Sequence, residues 1–423
     1  MMSLQDVYDA FRKHLHIEKT HLIDVALAIY ITKDLPGKPL WIVPVGSSSY
    51  GKTTIASFLP YLEKQSENDT KYRVLKMDQT SAKAFASGAR GKKDQDYGEW
   101  LQNNHSIIYF PDMASLLASQ ESRQIFALFR NLYDGDIMLS TGTAKLNYEN
   151  CMVNMLGFST PKIRSDIEFM SAMGTRELVY TLPQITEPEK MYPCKITNEK
   201  LQEIDIVVKR FIDGLNEKPK EPNPEIQKYL ADVAEKISIF RAEGITTDDG
   251  LLKEPVEQEY PKRLYDQLVK LWQGMDMIGV TEGQKKTVIQ DIEKGSGPRL
   301  RRRLLYEFFG NVTSLGKACW KIEFNLERTL GKEVTIRDVS NRLHTSPKEV
   351  TREFSILAGL GLIHAVVGEP KPIWRQNENG DSGWEIPENK LLYSDLNTKW
   401  TGIEKPLWKN QMWKEYENRV IYD

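Results

Sequence analysis

The chain has 423 residues, enough for two or three domains with a sizeable buried core. Its 57 basic and 59 acidic residues give a formal net charge of −2, which excludes a protein that coats nucleic acid through bulk charge. Three widely spaced cysteines without a CxxC pair exclude a disulfide framework and a zinc site, and no apolar run approaches the ~20 residues of a membrane span. These features predict a cytoplasmic protein without a membrane segment.

The first part of the chain alternates between helix and strand patterns. Residues 1–34 have helical periodicity, and the segment DIMLSTGTAKLNYEN has the two alternating runs of a hairpin. Five apolar segments have the composition of buried strands: GKPLWIVPV, YRVLKM, SIIYFPDM, CMVNMLGFSTP and RELVYTLP. Strands that alternate with helices predict a mostly parallel α/β sheet, and we assign it to residues 35–190.

The second part of the chain is expected to be mainly helical. Residues 191–311 carry long helical patterns that are interrupted by the linker NEKPKEPNPE and by a loop at 244–256. From 312 to 392 we expect three helices followed by two strands around a long loop. The last segment, 393–423, is rich in tryptophan and tyrosine and is expected to pack on the preceding domain or to dock a partner.

A glycine-rich loop follows the first predicted strand. From Gly46 the spacing reads G-x-x-x-x-G-K-T, between a strand and a helix, as a phosphate-binding loop requires. Backbone N–H groups of such a loop cradle an anion, so Lys52 is expected to reach the β- and γ-phosphates of ATP and Thr53 to bind Mg²⁺. The predicted nucleotide-binding residues of the loop are Gly46, Ser47, Ser48, Ser49, Tyr50, Gly51, Lys52, Thr53 and Thr54.

Two other strand ends supply polar side chains. Asp112 follows an apolar strand and is expected to hold Mg²⁺, a role compatible with capping the next helix. Met113 takes the next position, which a catalytic glutamate usually occupies to orient the attacking water. Two acidic residues are candidate substitutes, Asp78 and Glu99. Ser159 and Thr160 end a third strand that could lie between the other two and bring Thr160 to the γ-phosphate, although Ser-Thr-Pro is equally a strand terminator.

The order of these segments resembles that of AAA+ ATPases. GSSSYGKTT, IIYFPDM, a hairpin, MLGFSTP and SAMGTRELVYTLP follow one another as in the mobile-element and phage branch, which is related to minichromosome maintenance helicases. The resemblance covers roughly residues 20–310. It implies a P-loop sheet with a helical lid, hydrolysis of ATP with Mg²⁺, and self-association into a ring or another oligomer.

The resemblance also implies roles for two arginines. Arg176, in GTREL, takes the place of a finger that enters the neighbouring subunit's site, with Glu177 where the family has an aromatic residue. Arg263 takes the place of the lid arginine that contacts the γ-phosphate held by its own chain. Arginines stabilise transition-state charge on a transferred phosphoryl group. The alternatives are an ion pair within the chain for Arg176 and a solvated helix face for Arg263.

Residues 312–392 resemble a winged helix. The helix TIRDVSNRLH is followed by a short turn, and Ser346 and Pro347 open a second helix as its cap and first-turn residues. In that family the second helix enters the major groove, although Glu349 and Glu353 would repel phosphate. Winged helices also serve as protein-binding modules, so both partners stay open.

The hairpin before the third site strand touches DNA in the minichromosome-type branch. This places Lys145 at or beside its tip, where a lysine can instead be solubilising. The predicted DNA-binding residues are Lys145, Lys348, Thr351, Arg352 and Arg375.

Three functions remain open from the sequence. The first is an ATP-dependent AAA+ ATPase acting on DNA, as an oligomeric helicase or replication-type motor. The second is a nucleotide-gated DNA-binding regulator with little hydrolysis, which Met113 favours. The third is a loader or remodeller of another protein. They differ in turnover and in whether DNA or a protein stimulates it.

Overall fold

The computed structural model contains two compact units. It describes residues 2–15, 17, 19–47, 51–62, 74–77, 101, 106–117, 121–135, 137–140, 145–161, 163, 176–182, 197–248, 250, 253–254, 256, 258–304, 311–315, 319–323, 334–360, 363–366, 373–376, 382–385 and 399–402. Unit 1 comprises Met1–Ile237 and Tyr260–Ser296, and unit 2 comprises Ser238–Glu259 and Gly297–Asp423. The helical region predicted for 191–311 is therefore divided between the two units.

Unit 1 is built around a five-stranded parallel sheet. The strands of unit 1 are β1 (Trp41–Val45), β2 (Val74–Lys76), β3 (Ile107–Phe110), β4 (Ile137–Ser140), β5 (Lys145–Tyr148), β6 (Asn154–Gly157) and β7 (Leu178–Thr181). The sheet has the order β2-β3-β6-β1-β7, and every neighbouring pair is parallel. β4 and β5 form a separate antiparallel hairpin. The α/β class, the parallel sheet and the hairpin are confirmed.

Helices cover both faces of this sheet. The helices described in unit 1 are α1 (Leu4–His14), α2 (His21–Ile31), α3 (Lys52–Ile55), α4 (Phe58–Tyr61), α5 (Ala114–Leu117), α6 (Ser122–Asp134), α7 (Asn198–Asp213), most of α8 (Pro224–Arg241), α9 (Lys262–Met277) and α10 (Glu282–Gly295). Side chains alternate along β1, so Ile42 packs in the cluster with α2 and α9, whereas Trp41 and Val43 pack in the cluster with α6. Two apolar layers therefore sandwich the sheet.

The helix after the glycine-rich loop is interrupted, as its proline predicts. α3 ends at Ile55 and α4 begins at Phe58. Pro60 has no N–H, and its ring would clash with the carbonyl group of Ala56 in a continuous helix. The break therefore comes before the proline rather than at it.

Asn154, a polar residue in the buried strand β6, joins α2 to the sheet. Its Oδ1 accepts from the Leu40 N–H at 2.8 Å, and its Nδ2 donates to the Ile29 carbonyl at 2.9 Å and to Thr32 Oγ1 at 3.1 Å. A buried amide must satisfy its donors and acceptors, so this residue has a structural role.

Unit 2 contains a pair of helices and several short strands. Its described elements are the end of α8, α11 (Arg299–Arg303), α12 (Ile336–Leu343), α13 (Pro347–Gly359), β8 (Asn311–Leu315), β9 (Cys319–Glu323), β10 (Val334–Thr335), β11 (Ile363–Val366), β12 (Ile373–Gln376), β13 (Ser382–Glu385) and β14 (Lys399–Gly402). The predicted helix, turn, helix and strand are present as α12, α13 and β11, and Ser346 caps α13 with Pro347 in its first turn.

One expectation for unit 2 is corrected. The helix expected to begin at about residue 313 is absent from the described residues 311–315 and 319–323, because β8 and β9 pair there as an antiparallel hairpin. Alternating apolar and β-branched residues around a glycine explain this conformation. The segment 393–423 packs on the preceding domain through residues 399–402, as one of its two expectations has it, because β14 pairs with both β10 and β11 in a three-stranded sheet.

Candidate nucleotide site

The glycine-rich loop begins at the carboxyl end of β1. A Cβ atom on Gly46 would lie 2.8 Å from Leu182 Cδ1, so a larger residue would have to displace that side chain. Gly51 has a φ of +76° immediately before α3, in the left-handed region that glycine enters without strain. Residues 48–50 lie outside the described parts of the chain.

Lys52 contacts the loop's own carbonyl groups. Its Nζ donates to the carbonyl oxygens of Gly46 and Ser47, each at 2.7 Å. Burial lowers the pKa of the Lys52 ammonium below its usual value, and the charge of Asp112 opposes that shift. A partly desolvated ammonium that is held by neutral carbonyls would gain from an anionic partner, which is what a phosphate group supplies.

Thr53 and Asp112, the two expected magnesium ligands, lie close together. Thr53 Oγ1 is 3.4 Å from the carbonyl oxygen of Pro111, and the Tyr109 hydroxyl donates to the Thr53 carbonyl at 3.4 Å. Asp112 is exposed, and its Oδ1 accepts from the Ala114 N–H at 2.9 Å, which caps α5 as predicted. The end of β3 therefore meets the start of α3.

This ligand set fits Mg²⁺ only together with a nucleotide. Magnesium in phosphate-transfer sites is held by one or two carboxylates, with water and phosphate oxygens completing an octahedron. No group of three or more His, Cys, Asp or Glu side chains that could hold a metal occurs among the described residues. Thr53 and Asp112 would hold the ion, and the phosphates of ATP would supply the remaining oxygens.

The third strand end lies between the other two, as predicted. β6 pairs with both β1 and β3. Ser159 donates its N–H to the Pro44 carbonyl at 3.1 Å and accepts from the Gly46 N–H at 3.2 Å. Since Pro44 has no N–H, the regular ladder between β1 and β6 ends before it. Thr160 thus follows directly on a residue that contacts the start of the loop.

Met113 is part of the core. It is fully buried, its N–H donates to the Phe158 carbonyl at 2.8 Å, and a Cβ atom on Gly157 would overlap its sulfur. The position after Asp112 therefore carries no group that could orient water. The two candidate substitutes, Asp78 and Glu99, lie outside the described residues.

The two predicted arginines lie at the opposite end of the strands. Arg176 precedes β7 and Arg263 lies in the first turn of α9, and each guanidinium carbon is 5.8 Å from the centre of the Tyr133 ring. That ring packs edge-on against Trp41, the first residue of β1, with the centres 5.2 Å apart. Gly46 is five residue steps along the strand from Trp41, about 16 Å at 3.3 Å per residue.

This distance corrects the expectation for Arg263. A side chain at the amino ends of the strands cannot reach a γ-phosphate at their carboxyl ends within the same chain. Arg263 and Arg176 instead form one group with Tyr133. We call these three residues the arginine cluster.

Arg176 makes the ion pair within the chain that was its predicted alternative. Its Nη2 is 2.7 Å from Asp134 Oδ2, and Lys38 Nζ is 4.0 Å from the other carboxylate oxygen. The carboxylate side chain is 47% exposed and the Arg176 side chain is 14% exposed, so water screens only one side of this pair.

Gln267, which the sequence reading did not single out, connects the arginine cluster to β1. Its Nε2 donates to the Arg176 carbonyl at 2.7 Å, and its Oε1 accepts from the Trp41 N–H at 3.0 Å. The residue is fully buried. One signal could have revealed it: a polar residue stands within the apolar stripe of α9 that is formed by Leu264, Leu268 and Leu271.

The helix predicted to read DNA exposes two of its three candidates. Lys348 and Arg352 are exposed and lie one turn apart on α13. The expectation that Thr351 is exposed is wrong, because it is 3% exposed and its hydroxyl donates to the Pro347 carbonyl at 2.9 Å. Thr351 lies three residues before the buried Phe354, on the core side of the helix.

The two glutamates of α13 have structural partners. Glu349 accepts from the N–H and hydroxyl of Ser346 at 3.3 and 2.9 Å, completing a capping box. Glu353 is buried and pairs with Arg301 Nε at 2.7 Å. The carboxylate of Glu353 is therefore neutralised within unit 2 and would not repel a phosphate, whereas Glu349 remains exposed.

The remaining DNA candidates lie in hairpins. Lys145 is the first residue of β5 and pairs with Ser140, the last residue of β4. Arg375 lies in β12 opposite Gly383 of β13, so the region expected as a long loop contains paired strands.

No protein-family model matches this chain, and no curated protein matches it in sequence. In the described parts of the chain, no helix combines the length and apolar character that crossing a bilayer requires. The resemblance to AAA+ ATPases therefore rests on the sequence motifs.

Proposed function

We propose that this protein is an AAA+ ATPase that acts on DNA as an oligomeric helicase or replication-type motor. One observation carries the nucleotide part of the proposal: Lys52, Asp112 and Ser159 lie at the carboxyl ends of three adjacent parallel strands. In open α/β sheets, ligands bind outside the carboxyl ends of the strands.

Each of these residues has a role in the proposed site. Lys52 exchanges its loop carbonyls for the β- and γ-phosphates of ATP. Thr53 and Asp112 hold Mg²⁺, which neutralises charge on the phosphates when bound. Thr160 is expected beside the γ-phosphate, because it follows the residue that contacts Gly46.

The proposed working form is an oligomer. Arg176 and Arg263 lie about 16 Å along β1 from the loop of their own chain, too far to contact its phosphates. Arginines in a phosphoryl-transfer site act by direct contact with the transition state. We therefore assign both arginines to the nucleotide of a neighbouring chain.

Unit 2 is the proposed DNA-binding part, and we propose that its helices α12 and α13 act as the helix pair of a winged helix. The exposed side chains of Lys348 and Arg352 support this role, together with Arg375 in the β12–β13 hairpin. Lys145 in the unit 1 hairpin would add a contact to the DNA strand. A protein partner that docks on unit 2 is the alternative.

A specific observation favours a second function, a nucleotide-gated regulator. Met113 fills the position of a water-orienting glutamate and is fully buried. A site without that group binds ATP and hydrolyses it slowly unless another residue supplies the function.

ATP hydrolysis with and without single- and double-stranded DNA distinguishes the two functions. The assay belongs at low salt, where contacts to DNA phosphates are strongest. The motor predicts turnover that DNA stimulates strongly and that is lost in Lys52→Ala. Tight ATP binding without turnover on any DNA would contradict the motor and support the regulator.

A further inference from the structure

We propose that Gln267 is a positioning residue that fixes the arginine cluster in the orientation in which it serves a neighbouring chain. This inference rests on the proposed function, because it concerns arginines that act on another chain's ATP. Gln267 itself would touch neither nucleotide nor metal.

The geometry of α9 carries the inference. Arg263 and Gln267 are four residues apart and therefore lie on the same face of the helix. Gln267 donates to the Arg176 carbonyl at 2.7 Å, so a single helix face carries one arginine and holds the backbone of the other. Both guanidinium groups lie 5.8 Å from the Tyr133 ring centre.

The second hydrogen bond of Gln267 anchors this group to the sheet. Its Oε1 accepts from the N–H of Trp41, the residue whose ring packs on Tyr133. Three residues further along α9, Lys270 donates to the carbonyl oxygens of Leu35 and Lys38, each at 3.0 Å. One helix face thus ties the amino end of β1 and the backbone of Arg176 together.

Such anchoring matters because an arginine raises the rate of phosphoryl transfer most when its position is fixed before the reaction. Placing a catalytic group in the wrong position by about 1 Å can lower a rate on the order of 100-fold. Arg176 lies two residues before the start of β7, after a segment outside the described residues, and the Gln267 bond fixes its carbonyl. We expect loss of this bond to lower turnover about 10- to 100-fold and to leave ATP binding unchanged.

The test uses mixtures of two inactive variants. Chains with Lys52→Ala have no working loop but keep the arginine cluster, whereas chains with Arg176→Ala keep the loop. A mixture restores turnover at sites where the intact loop of one chain meets the intact arginine cluster of the other. Gln267→Met is then introduced into one of the two variant chains at a time. Methionine is chosen because it has a similar shape to glutamine and makes neither hydrogen bond.

The two arms give opposite expectations. Gln267→Met in the Lys52→Ala partner, which donates the arginines, should lower the restored turnover about 10- to 100-fold. The same substitution in the Arg176→Ala partner, which supplies the loop, should change it less than about twofold. Equal loss in both arms from folded chains, or loss only in the loop partner, would overturn the inference, because either result means that Gln267 supports its own chain's fold or loop.

A second variant covers the case in which Gln267→Met unfolds. Gln267→Leu replaces the amide by an apolar side chain of a different shape from methionine and likewise makes neither hydrogen bond. Loss confined to the arginine-donating partner supports the inference, and an unchanged rate in that arm overturns it. Failure of the proposed function looks different: Arg176→Ala alone would then hydrolyse ATP at the normal rate.

Discussion

The two ends of the unit 1 sheet differ in what their polar side chains contact. At the carboxyl ends of the strands, Lys52 contacts the carbonyl groups of Gly46 and Ser47 in the glycine-rich loop. At the amino ends, Arg176 and Arg263 flank an aromatic ring, and Arg176 pairs with a half-exposed aspartate. In the proposed function, the carboxyl ends bind a nucleotide, and the amino ends stabilise charge on the nucleotide of a neighbouring chain.

Under the proposed function, a single chain holds two half-sites rather than one complete site. About 16 Å of strand separates them, and the buried β1 passes through the core between them. A motion that joined the two ends within one chain would have to break the parallel sheet. Association of two chains joins them without any change in the fold.

The largest expected effect is at the carboxyl ends. Lys52→Ala removes the ammonium group that would contact the phosphates, so ATP binding and hydrolysis should both fall to background. Titration calorimetry with ATP measures the binding, with Lys218→Ala in the exposed linker as a control for loss of one positive charge. Normal ATP affinity in Lys52→Ala would mean that the loop does not hold the phosphates.

The second prediction concerns the amino ends. Arg176→Ala should lower turnover about a thousandfold, since arginines of this kind contribute at least that factor, and should leave ATP affinity of the single chain unchanged. Steady-state hydrolysis and ATP binding are measured on the same preparation. Lys38→Ala, which removes the other positive charge near Asp134, is the matched control and should have a small effect on turnover. Normal turnover in Arg176→Ala would make the amino ends irrelevant to the chemistry.

The third prediction tests whether the carboxyl ends lack a water-orienting glutamate for a structural reason. Met113→Glu should not raise turnover, and it should lower the free energy of unfolding by about 3 kcal/mol, because the carboxyl group would be buried in an apolar cluster beside Gly157. Met113→Leu keeps the volume and should cost less than about 1.5 kcal/mol. Denaturant unfolding measures both. Faster hydrolysis in Met113→Glu would show that the side chain reaches the site.

The smallest expected effect on turnover lies away from both half-sites. Asp24, in α2, accepts from the Tyr8 hydroxyl, and burial raises its pKa to about 7. In the folded state Asp24 keeps its proton up to about pH 7, whereas in the unfolded state it releases the proton near pH 4. The stability that this proton contributes is therefore present at low pH and is lost as the pH rises towards 7. Between pH 5 and 8, the fall in the free energy of unfolding should be smaller in Asp24→Asn by on the order of 2 kcal/mol, and turnover at pH 8 should not change.

Thermal or denaturant unfolding at several pH values checks the Asp24 prediction. Asp9→Asn, at an exposed position of α1, is the control and should leave the pH dependence as it is. If the free energy of unfolding of Asp24→Asn changed with pH as it does in the wild-type protein, the pH dependence would come from other groups.

The carboxyl ends could be predicted from the sequence because local patterns determine them. An apolar strand followed by G-x-x-x-x-G-K-T specifies a loop, and Asp112 and Thr160 each follow an apolar strand. Parallel strands bring such ends to one edge of a sheet, so their proximity follows from the fold class. The break between α3 and α4 likewise follows from Pro60.

The amino ends could not be predicted in the same way, because long-range packing determines them. Gln267 bonds to Trp41, which is far away in the chain, and no local pattern specifies that pair. Arg263 was expected near its own nucleotide from its place in the lid, whereas the packing of α9 along the amino end of β1 moves it to the other edge. Thr351 was misplaced because a polar residue in a polar-looking helix can face the core when its hydroxyl bonds to the preceding turn.

The most direct test of the central claim is to mix Lys52→Ala chains with Arg176→Ala chains and to measure ATP hydrolysis. Each variant alone is expected to be inactive. The account predicts that the mixture regains a substantial part of the wild-type turnover, because an intact loop from one chain meets an intact arginine cluster from another. A mixture as inactive as its components, under conditions in which the wild-type protein hydrolyses ATP, would contradict a site that is divided between two chains.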